Sequence, residues 1–268
     1  MSSIRWLTRY RPIGSLIQMV RRYLSSKKVI LRCKGVCPIC EKMCTFSAEN
    51  DWLRDNFLCS GCLSIPRERA LMHVIKTTYP NYRELVIHES SPSNRGVSPK
   101  LKSDCPNYSA SQFFDKTKRG EYDSLTKWQC QDIENLTFDD ASIDLFITQD
   151  VMEHIFDAES AFKEICRVLK PGGAHIFTVP LINKGKKSEI WASRDASGKV
   201  DCHQEPEWHG NPISDKGSLV TMHWGYDIAE FIAEVAKTPT EIITIDNIDM
   251  GIRAEYIDVL VSRKPAIG

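Results

Sequence analysis

A chain of 268 residues is long enough for one large domain, or for a large domain joined to a small one. Its 42% hydrophobic and 26% charged residues are typical of a globular protein, and no apolar run is long enough to predict a membrane-spanning helix. The net charge is zero, but residues 1–40 carry nine basic and no acidic residues, so the remainder is acidic, which argues against extended nucleic acid as a substrate.

Residues 1–32 form a basic segment with apolar positions at helical spacing, interrupted by Pro12. Three interpretations stay open: a membrane-surface helix, a transit peptide, and a helix packed on the domain or on a partner. No secretory hydrophobic region precedes a small-residue cleavage site, so we expect a cytoplasmic protein. Any peripheral membrane contact or protein contact of this segment would involve residues 1–30. The sequence does not indicate an oligomeric state.

Four of the ten cysteines form two Cys-x-x-Cys pairs separated by eighteen residues, a spacing typical of a zinc ribbon, here over residues 33–66. Four thiolates can close a tetrahedral site around one zinc ion, which gives the ion a structural role. Segments this short bury little apolar surface, so the metal would supply the folding energy. Cys33 and Cys44 are alternative ligands at neighbouring spacings. The predicted zinc ligands are Cys37, Cys40, Cys59 and Cys62.

Pro66 predicts the first turn of a helix that leads into a larger α/β domain over residues 67–268. Buried strands are expected at residues 84–88, within 107–111, ending near 128–133, and at 143–147. An amphipathic helix should follow the fourth strand, with apolar residues at 161, 162, 165, 168 and 169. Lys170 should end this helix because Pro171 cannot continue it, and two glycines then permit the turn into a fifth strand.

Residues 149–179, QDVMEHIFDAESAFKEICRVLKPGGAHIFTV, resemble the second half of a class I S-adenosylmethionine-dependent methyltransferase of the type 11 kind. A ribbon joined through Arg-x-Arg-Ala-Leu to such a domain is similar to bacterial methyltransferases found near glycosyltransferase and polysaccharide genes. The resemblance covers about residues 35–265. It implies a Rossmann-like α/β fold, with a seven-stranded, mostly parallel sheet, helices on both faces, and a last antiparallel hairpin formed by residues 241–245 and 256–262.

The resemblance also implies that S-adenosylmethionine binds at the carboxyl ends of the first four strands. Residues 89–96 replace the family's glycine-rich loop, so Glu89 would contact the cofactor amino group and serine hydroxyls would stand in for glycine backbone. No acid ends the second strand to bind the ribose, whereas an acid and an aliphatic residue after the third strand would hold the adenine. The implied cofactor-binding residues are Glu89, Ser90, Ser91, Ser111, Gln112, Asp132, Ile133, Gln149 and Asp150.

Residues 180–218 form a long polar stretch, which in a compact domain is usually functional or disordered. Its tryptophan, histidine and glutamate residues argue against disorder, so we predict a lid over the substrate. A general base is useful if the methyl acceptor is a hydroxyl, and the catalytic candidates are His154, His203 and His209. For each of them a structural, hydrogen-bonded role is the alternative.

Together these features predict a transferase that uses S-adenosylmethionine and a structural zinc ion. We expect it to methylate an oxygen or nitrogen of a sugar, a glycan or another small polar substrate, mainly by aligning the reactants. Two alternatives stay open. One is a non-catalytic binding module whose glycine-poor loop has lost methyl transfer. The other is an RNA or protein methyltransferase that holds its substrate with the zinc ribbon.

Overall fold

The structure is a computed structural model that describes residues 29–211 and 214–266. Most of the basic segment predicted at residues 1–32 therefore lies outside the described residues. A small module carries the two cysteine pairs, and its elements are β1 (Leu31–Val36), β2 (Met43–Ala48), the short helix α1 (Leu53–Asn56) and β3 (Leu58–Cys59). Its three strands form an antiparallel sheet in the order β1–β2–β3.

Helix α2 (Pro66–Thr78) joins the cysteine module to the larger domain, as the sequence predicted. Pro66 lies in the first turn, where a backbone amide hydrogen would have no partner within the helix. Arg69 is fully buried on this helix, and its guanidinium donates to the carbonyl oxygens of Phe57 (2.7 Å) and Gly251 (2.6 Å). A single side chain thus links the cysteine module, α2 and the C-terminal part of the chain.

The first half of the large domain contains four parallel strands of one sheet. A turn of 3-10 helix at Tyr82–Glu84 occupies the start of the predicted first strand. The strand is therefore shifted toward the C terminus, and it includes Glu89 instead of ending before it. The elements in this half are β4 (Ile87–Ser90), α3 (Val97–Asp104), β5 (Tyr108–Gln112), β6 (Gln129–Cys130) and β7 (Ile143–Gln149).

Helix α4 (Ala158–Val168) and strand β8 (Leu169–Thr178) follow β7. The side chain of Asp157 caps the helix by accepting from the backbone amide of Ser160 (2.9 Å). The helix ends at Val168, two residues before the predicted end at Lys170. A residue that precedes proline is restricted to extended conformations, so Lys170 joins the strand instead.

The predicted lid at residues 180–218 folds into short antiparallel strands. They are β9 (Glu189–Ile190), β10 (Ala192–Arg194), β11 (Val200–Cys202), β12 (Trp208–Asn211) and β13 (Ser214–Leu219), followed by β14 (Met222–His223). Strand β10 pairs with β11, β12 with β13, and β9 with β14. These pairs give the described part of the segment backbone hydrogen bonds of its own, so it forms a subdomain that follows β8.

The chain ends in α5 (Ile228–Ala236), β15 (Thr240–Ile243), a 3-10 helix at Ile248–Met250, and β16 (Val259–Arg263). The strands of the large sheet lie in the order β15–β16–β8–β7–β4–β5–β6. Strand β16 runs antiparallel to both of its neighbours, and the remaining neighbour pairs are parallel. The predicted fold class, a Rossmann-like α/β fold with a seven-stranded, mostly parallel sheet, is confirmed.

Other elements pack on both faces of the sheet. Successive side chains of a strand point to opposite faces, so one strand contributes to both packed layers. Leu145 and Ile147 of β7 pack with α2, α3 and the cysteine module, whereas Phe146 between them packs with α4 and α5. The cysteine module therefore shares a hydrophobic core with the large domain. Among the residues described, no helix is both long and apolar enough to span a membrane.

Candidate functional site

The carboxyl ends of β4, β5, β6 and β7 meet at one edge of the sheet, where open parallel sheets bind ligands. The pairing register sets Ser90 beside Ser111 and Gln112 beside Cys130, while Gln149 ends β7. The structure thus brings most of the predicted cofactor-binding residues to this edge. Their binding role stays a prediction.

Glu89 lies at the centre of this edge and is completely buried. Its Oε1 accepts from Ser98 Oγ and from Gln149 Nε2 (both 2.7 Å), and its Oε2 accepts from the Tyr108 hydroxyl (2.7 Å). Burial raises the pKa of Glu89, and the three hydrogen bonds oppose that shift in part. Glu89 is therefore engaged by protein donors, and its visible role is to orient its neighbours.

Gln149 is the neighbour that Glu89 orients. The amide nitrogen of Gln149 donates to Glu89, so the amide oxygen must point the opposite way. This buried oxygen, Oε1, has no hydrogen-bond partner among residues 29–211 and 214–266. A buried acceptor without a donor costs about 1–3 kcal/mol, and such groups are rare in folded proteins. The free oxygen is therefore a candidate contact for a ligand that carries a donor.

The loop after β4 contains little glycine but retains strained backbone. Ser91 has a positive φ of 58°, and Gly96 has a φ of 66°. A Cβ atom at Gly96 would lie 2.4 Å from a carboxylate oxygen of Glu68 on α2. The close approach of α2 therefore explains this glycine. Ser90 is buried at the start of the loop, at the predicted cofactor edge.

The second and third strands contribute residues of different accessibility. The hydroxyl of Ser111 is buried and lies 2.9 Å from His88 Nε2, so it is held inside the sheet. Asp132 is partly exposed after β6, and its Oδ1 accepts from the backbone amide of Glu134 (3.0 Å). Ile133 is buried beside it. The Asp132–Ile133 pair lies directly after β6, and its contact with adenine stays a prediction.

Asp150 follows Gln149 and is bound by two arginines that come from the N-terminal side of the domain. Arg54 Nη2 lies 2.5 Å and Arg67 Nε 3.2 Å from Asp150 Oδ2, and the Thr178 hydroxyl donates to Oδ1 (3.0 Å). Burial would raise the pKa of Asp150, but the two guanidinium groups outweigh it and lower that pKa. Asp150 thus anchors the cysteine module and α2 to the sheet edge. Its predicted contact with the cofactor stays untested.

A second cluster lies just beyond this edge, where a 3-10 helix at Met152–His154 presents Glu153 and His154. Glu153 is 2% exposed, and neither of its carboxylate oxygens has a hydrogen-bond partner in the described part of the chain. His154 Nε2 lies 3.7 Å and His209 Nδ1 3.6 Å from Glu153 Oε1. The two imidazole rings are nearly perpendicular, with centroids 5.0 Å apart. The Glu153 carboxylate raises the pKa of His209.

The third histidine candidate is not part of this cluster. His203 is exposed, and its Nε2 lies 3.0 Å from the Ser193 hydroxyl. His223, which the sequence did not single out, lies 2.9 Å from Glu207 Oε2 and stacks on Trp191. The subdomain formed by β9–β14 thus contributes His209, and not His203, to the neighbourhood of His154.

The four predicted zinc ligands have sulfur atoms that all lie within 4.8 Å of one another: Cys37, Cys40, Cys59 and Cys62. Four converging thiols fit a closed structural zinc site. Cys44 Sγ also lies 3.5 Å from Cys40 Sγ, so it stays an alternative ligand. Cys33 Sγ instead contacts the carbonyl oxygen of Ile248 (3.4 Å). Arg69 adds a buried positive charge close to these sulfur atoms, where it would offset part of the charge of a thiolate site.

Comparison with known proteins identifies one region of the chain. Residues 105–177, from just before β5 almost to the end of β8, match a family model described as "Methyltransferase domain". The ubiquinone biosynthesis O-methyltransferase of Coxiella burnetii (strain RSA 493 / Nine Mile phase I) is 34% identical over 64 residues, which are 24% of this chain and 26% of that protein. The match thus spans about a quarter of the length of the curated relative.

Solved structures with a similar chain path include an S-adenosylmethionine dependent methyltransferase from Mesorhizobium loti. It has a TM-score of 0.47 and 15% identity, over 73% of this chain and 97% of that one. The 1,6-didemethyltoxoflavin-N1-methyltransferase of Burkholderia thailandensis has a TM-score of 0.43 and 13% identity, over 74% and 78% of the two chains. The fold assignment itself follows from the strand order given above. Residues 105–177 are therefore similar to a methyltransferase domain, and the chain around them has the Rossmann-like sheet that such a domain requires.

Proposed function

We propose that this protein is an S-adenosylmethionine-dependent methyltransferase that acts on an oxygen or nitrogen of a small polar acceptor, such as a sugar or glycan. The observation that carries the proposal is the buried Oε1 of Gln149 at the sheet edge, to which no described residue donates a hydrogen bond. The methyltransferase-domain match includes Gln149 and its strand. A cofactor with an ammonium group would supply the donor that this oxygen lacks.

The residues at the sheet edge would have different roles in binding the cofactor. Glu89 fixes the orientation of the Gln149 amide, so that the buried amide oxygen points away from Glu89, and Gln149 would accept from the amino group of the cofactor. Asp132 would accept from the adenine amine, with Ile133 packed against the ring. When bound, S-adenosylmethionine supplies a methyl group on a positively charged sulfur. The protein contributes mainly by holding acceptor and donor in line.

The subdomain formed by β9–β14 supports a small, polar acceptor. Trp208 is 56% exposed next to His209, and an exposed indole face suits stacking on a sugar ring. The neighbouring imidazole and carboxylate groups can hydrogen-bond hydroxyls. The Coxiella burnetii relative is named as an O-methyltransferase, which favours an oxygen acceptor.

The cysteine module would hold one structural zinc ion through Cys37, Cys40, Cys59 and Cys62. All four sulfur positions would be used, so the ion would have no open position for catalysis. Its contribution would be to fold the module that carries Arg54 to Asp150.

Calorimetric titration with S-adenosylmethionine tests the proposed function. Wild-type protein should bind one equivalent, and Gln149→Leu should weaken binding by about 1–3 kcal/mol, the cost of losing a charge-assisted hydrogen bond. Gln129→Leu is a matched control, since the Gln129 amide nitrogen already donates to the carbonyl of Gly120 (3.2 Å). No binding by the wild type, or equal affinity in Gln149→Leu, would contradict the proposal. Binding without turnover on any acceptor would favour the non-catalytic binding module.

A further inference from the structure

The cluster at Glu153, His154 and His209 is arranged so that lone pairs face each other. His154 Nδ1 lies 2.9 Å from the carbonyl oxygen of Leu219. A carbonyl oxygen can only accept, so Nδ1 carries the hydrogen, and in the neutral ring Nε2 has the lone pair. This Nε2 is the atom 3.7 Å from Glu153 Oε1.

His209 repeats the arrangement with the opposite nitrogen. Its Nε2 lies 3.2 Å from Glu207 Oε1, and a carboxylate also accepts, so Nε2 is the donor. The lone pair of the neutral ring is then on Nδ1, which lies 3.6 Å from the same oxygen of Glu153. Glu207 is itself held by His223 Nε2 at 2.9 Å. Both imidazoles are thus oriented by partners on their far side, with their free nitrogens toward Glu153.

When both rings are neutral, three electron-pair donors converge on a space in which the described residues place no hydrogen-bond donor. A buried carboxylate needs a positive partner, because its transfer from water is otherwise very unfavourable. Arg54 is a fixed cation that interacts with Glu153 electrostatically, but its Nη2 is bound to Asp150 and its Nε to the carbonyl of Tyr256. Arg54 attracts Glu153 electrostatically without giving it a hydrogen bond. With both imidazoles neutral, the described residues place no cation at the centre of the cluster, and His209, whose pKa Glu153 raises, is the ring that a proton would otherwise occupy.

We propose that Glu153, His154 and His209 bind a divalent transition-metal ion at a second site, separate from the cysteine cluster. The three ligand atoms lie within 4.8 Å of one another. An ion with bonds of about 2.0–2.1 Å holds tetrahedral ligand atoms roughly 3.3 Å apart, so the two distances from Glu153 Oε1, 3.7 and 3.6 Å, need to shorten by only a few tenths of an ångström. Histidine ligands usually donate their other N–H to a carbonyl or carboxylate, as both rings do here.

Three protein ligands leave at least one coordination position open, which is the pattern of catalytic and not of structural metal sites. The side chain of Glu153 is 2% exposed, whereas those of His154 and His209 are 16% and 31% exposed, so the open side faces the exterior. The site begins four residues after Gln149. A hydroxyl group of a small acceptor could occupy the open position, where the ion would make the hydroxyl more acidic and its proton would pass to water. This role rests on the proposed methyl transfer, whereas metal binding does not.

Metal titration of the full-length protein tests the site. Purified protein with its cysteine cluster loaded with zinc is dialysed and titrated with Co²⁺, followed by calorimetry and visible absorption. Wild type should take up one further equivalent without a sulfur-to-cobalt charge-transfer band. Glu153→Gln and His209→Ala should each lose that equivalent, and Glu207→Gln should weaken it about 10–100-fold. His203→Ala, a histidine outside the cluster, should bind as wild type does.

Thermal unfolding keeps the test valid if a variant folds poorly. Because the described residues give the Glu153 oxygens no hydrogen bond, Glu153→Gln should not lower the unfolding midpoint of protein in which only the cysteine cluster holds zinc. Zn²⁺ added beyond that first equivalent should raise the midpoint of the wild type and leave that of Glu153→Gln unchanged. If the protein takes up metal only at the cysteine cluster, the proposal is overturned, and a proton then balances the charge of Glu153. The proposal is also overturned if Glu153→Gln still binds a second equivalent of metal. A second equivalent in a protein that does not bind S-adenosylmethionine would refute the proposed function and leave the metal site standing.

Discussion

Replacement of Asp150 by asparagine should reveal how strongly the cysteine module is anchored to the sheet. An asparagine at this position would keep the size of the side chain and tolerate the positive φ of 51°, so the change removes charge with little backbone strain. It leaves Arg54 and Arg67 without their common carboxylate. The side chains of Arg54 and Asp150 are 10% and 15% exposed, so solvent replaces little of the lost interaction.

Removing one partner of a buried ion pair costs about 3–5 kcal/mol, and we expect Asp150→Asn to lower the free energy of unfolding by that amount at pH 7. Equilibrium unfolding in urea, with zinc present throughout, measures the difference. Asp140→Asn is the matched control, because Asp140 forms a pair of similar length with Arg167 (2.6 Å) but is 77% exposed. The control should cost less than about 1 kcal/mol. Equal effects of the two substitutions would refute the anchoring role of Asp150.

The same pair predicts a pH dependence. The folded-state pKa of Asp150 is lowered, so its stabilisation is fully present above the unfolded-state pKa of about 3.9 and is lost as pH falls toward the folded-state value. The difference in stability between wild type and Asp150→Asn should therefore be constant near neutral pH and shrink below about pH 4. A difference that persists undiminished in acid would mean that charge is not its origin.

Two further predictions concern the cysteine module and the loop after β4. Wild-type protein should contain one tightly bound zinc in the cysteine cluster, and the double substitution Cys59→Ser, Cys62→Ser should abolish zinc binding there. Elemental analysis that finds the same zinc content in the variant would contradict the ligand assignment. Gly96→Ala should lower the free energy of unfolding by about 1–3 kcal/mol, because the new Cβ meets Glu68 and the φ of 66° disfavours alanine. Gly185→Ala, with open space around the new Cβ, should change stability far less. Thermal unfolding of both variants measures the two effects.

The parts of the fold that could be predicted are those that depend on the pattern of residues close together in the sequence. The apolar run at residues 143–147 produced a buried strand, and the cysteine spacing brought four sulfur atoms together, because each depends on neighbours in the sequence. Boundaries were less accurate. The first strand begins three residues later than expected because a 3-10 turn precedes it, and α4 ends early because Pro171 constrains Lys170.

The candidate site was harder to predict, because its contacts join distant parts of the chain. Arg54 and Asp150 are separated by 96 positions in the sequence. No residue pattern around Arg54 indicates that its side chain contacts Asp150. The sequence drew attention to His154 and His209 as single candidates, but their convergence on Glu153 depends on how β12 and β13 fold back over the sheet edge. The adjacency of Glu153 and His154 in the sequence pointed to part of the cluster, but it also fitted a structural role for His154.

The adjacency of Gln149 and Asp150 has a consequence for how the protein would respond to its ligands. Gln149 has an amide oxygen without a donor among the described residues, which we propose contacts a ligand, and Asp150 is fixed by arginines whose positions depend on the cysteine module. Zinc binding in the cysteine module and ligand binding at Gln149 should therefore be thermodynamically linked. If zinc tightens the binding of a ligand at Gln149 by some factor, that ligand must tighten the hold on zinc by the same factor, so that the metal content of the preparation becomes a determinant of the affinity that is measured.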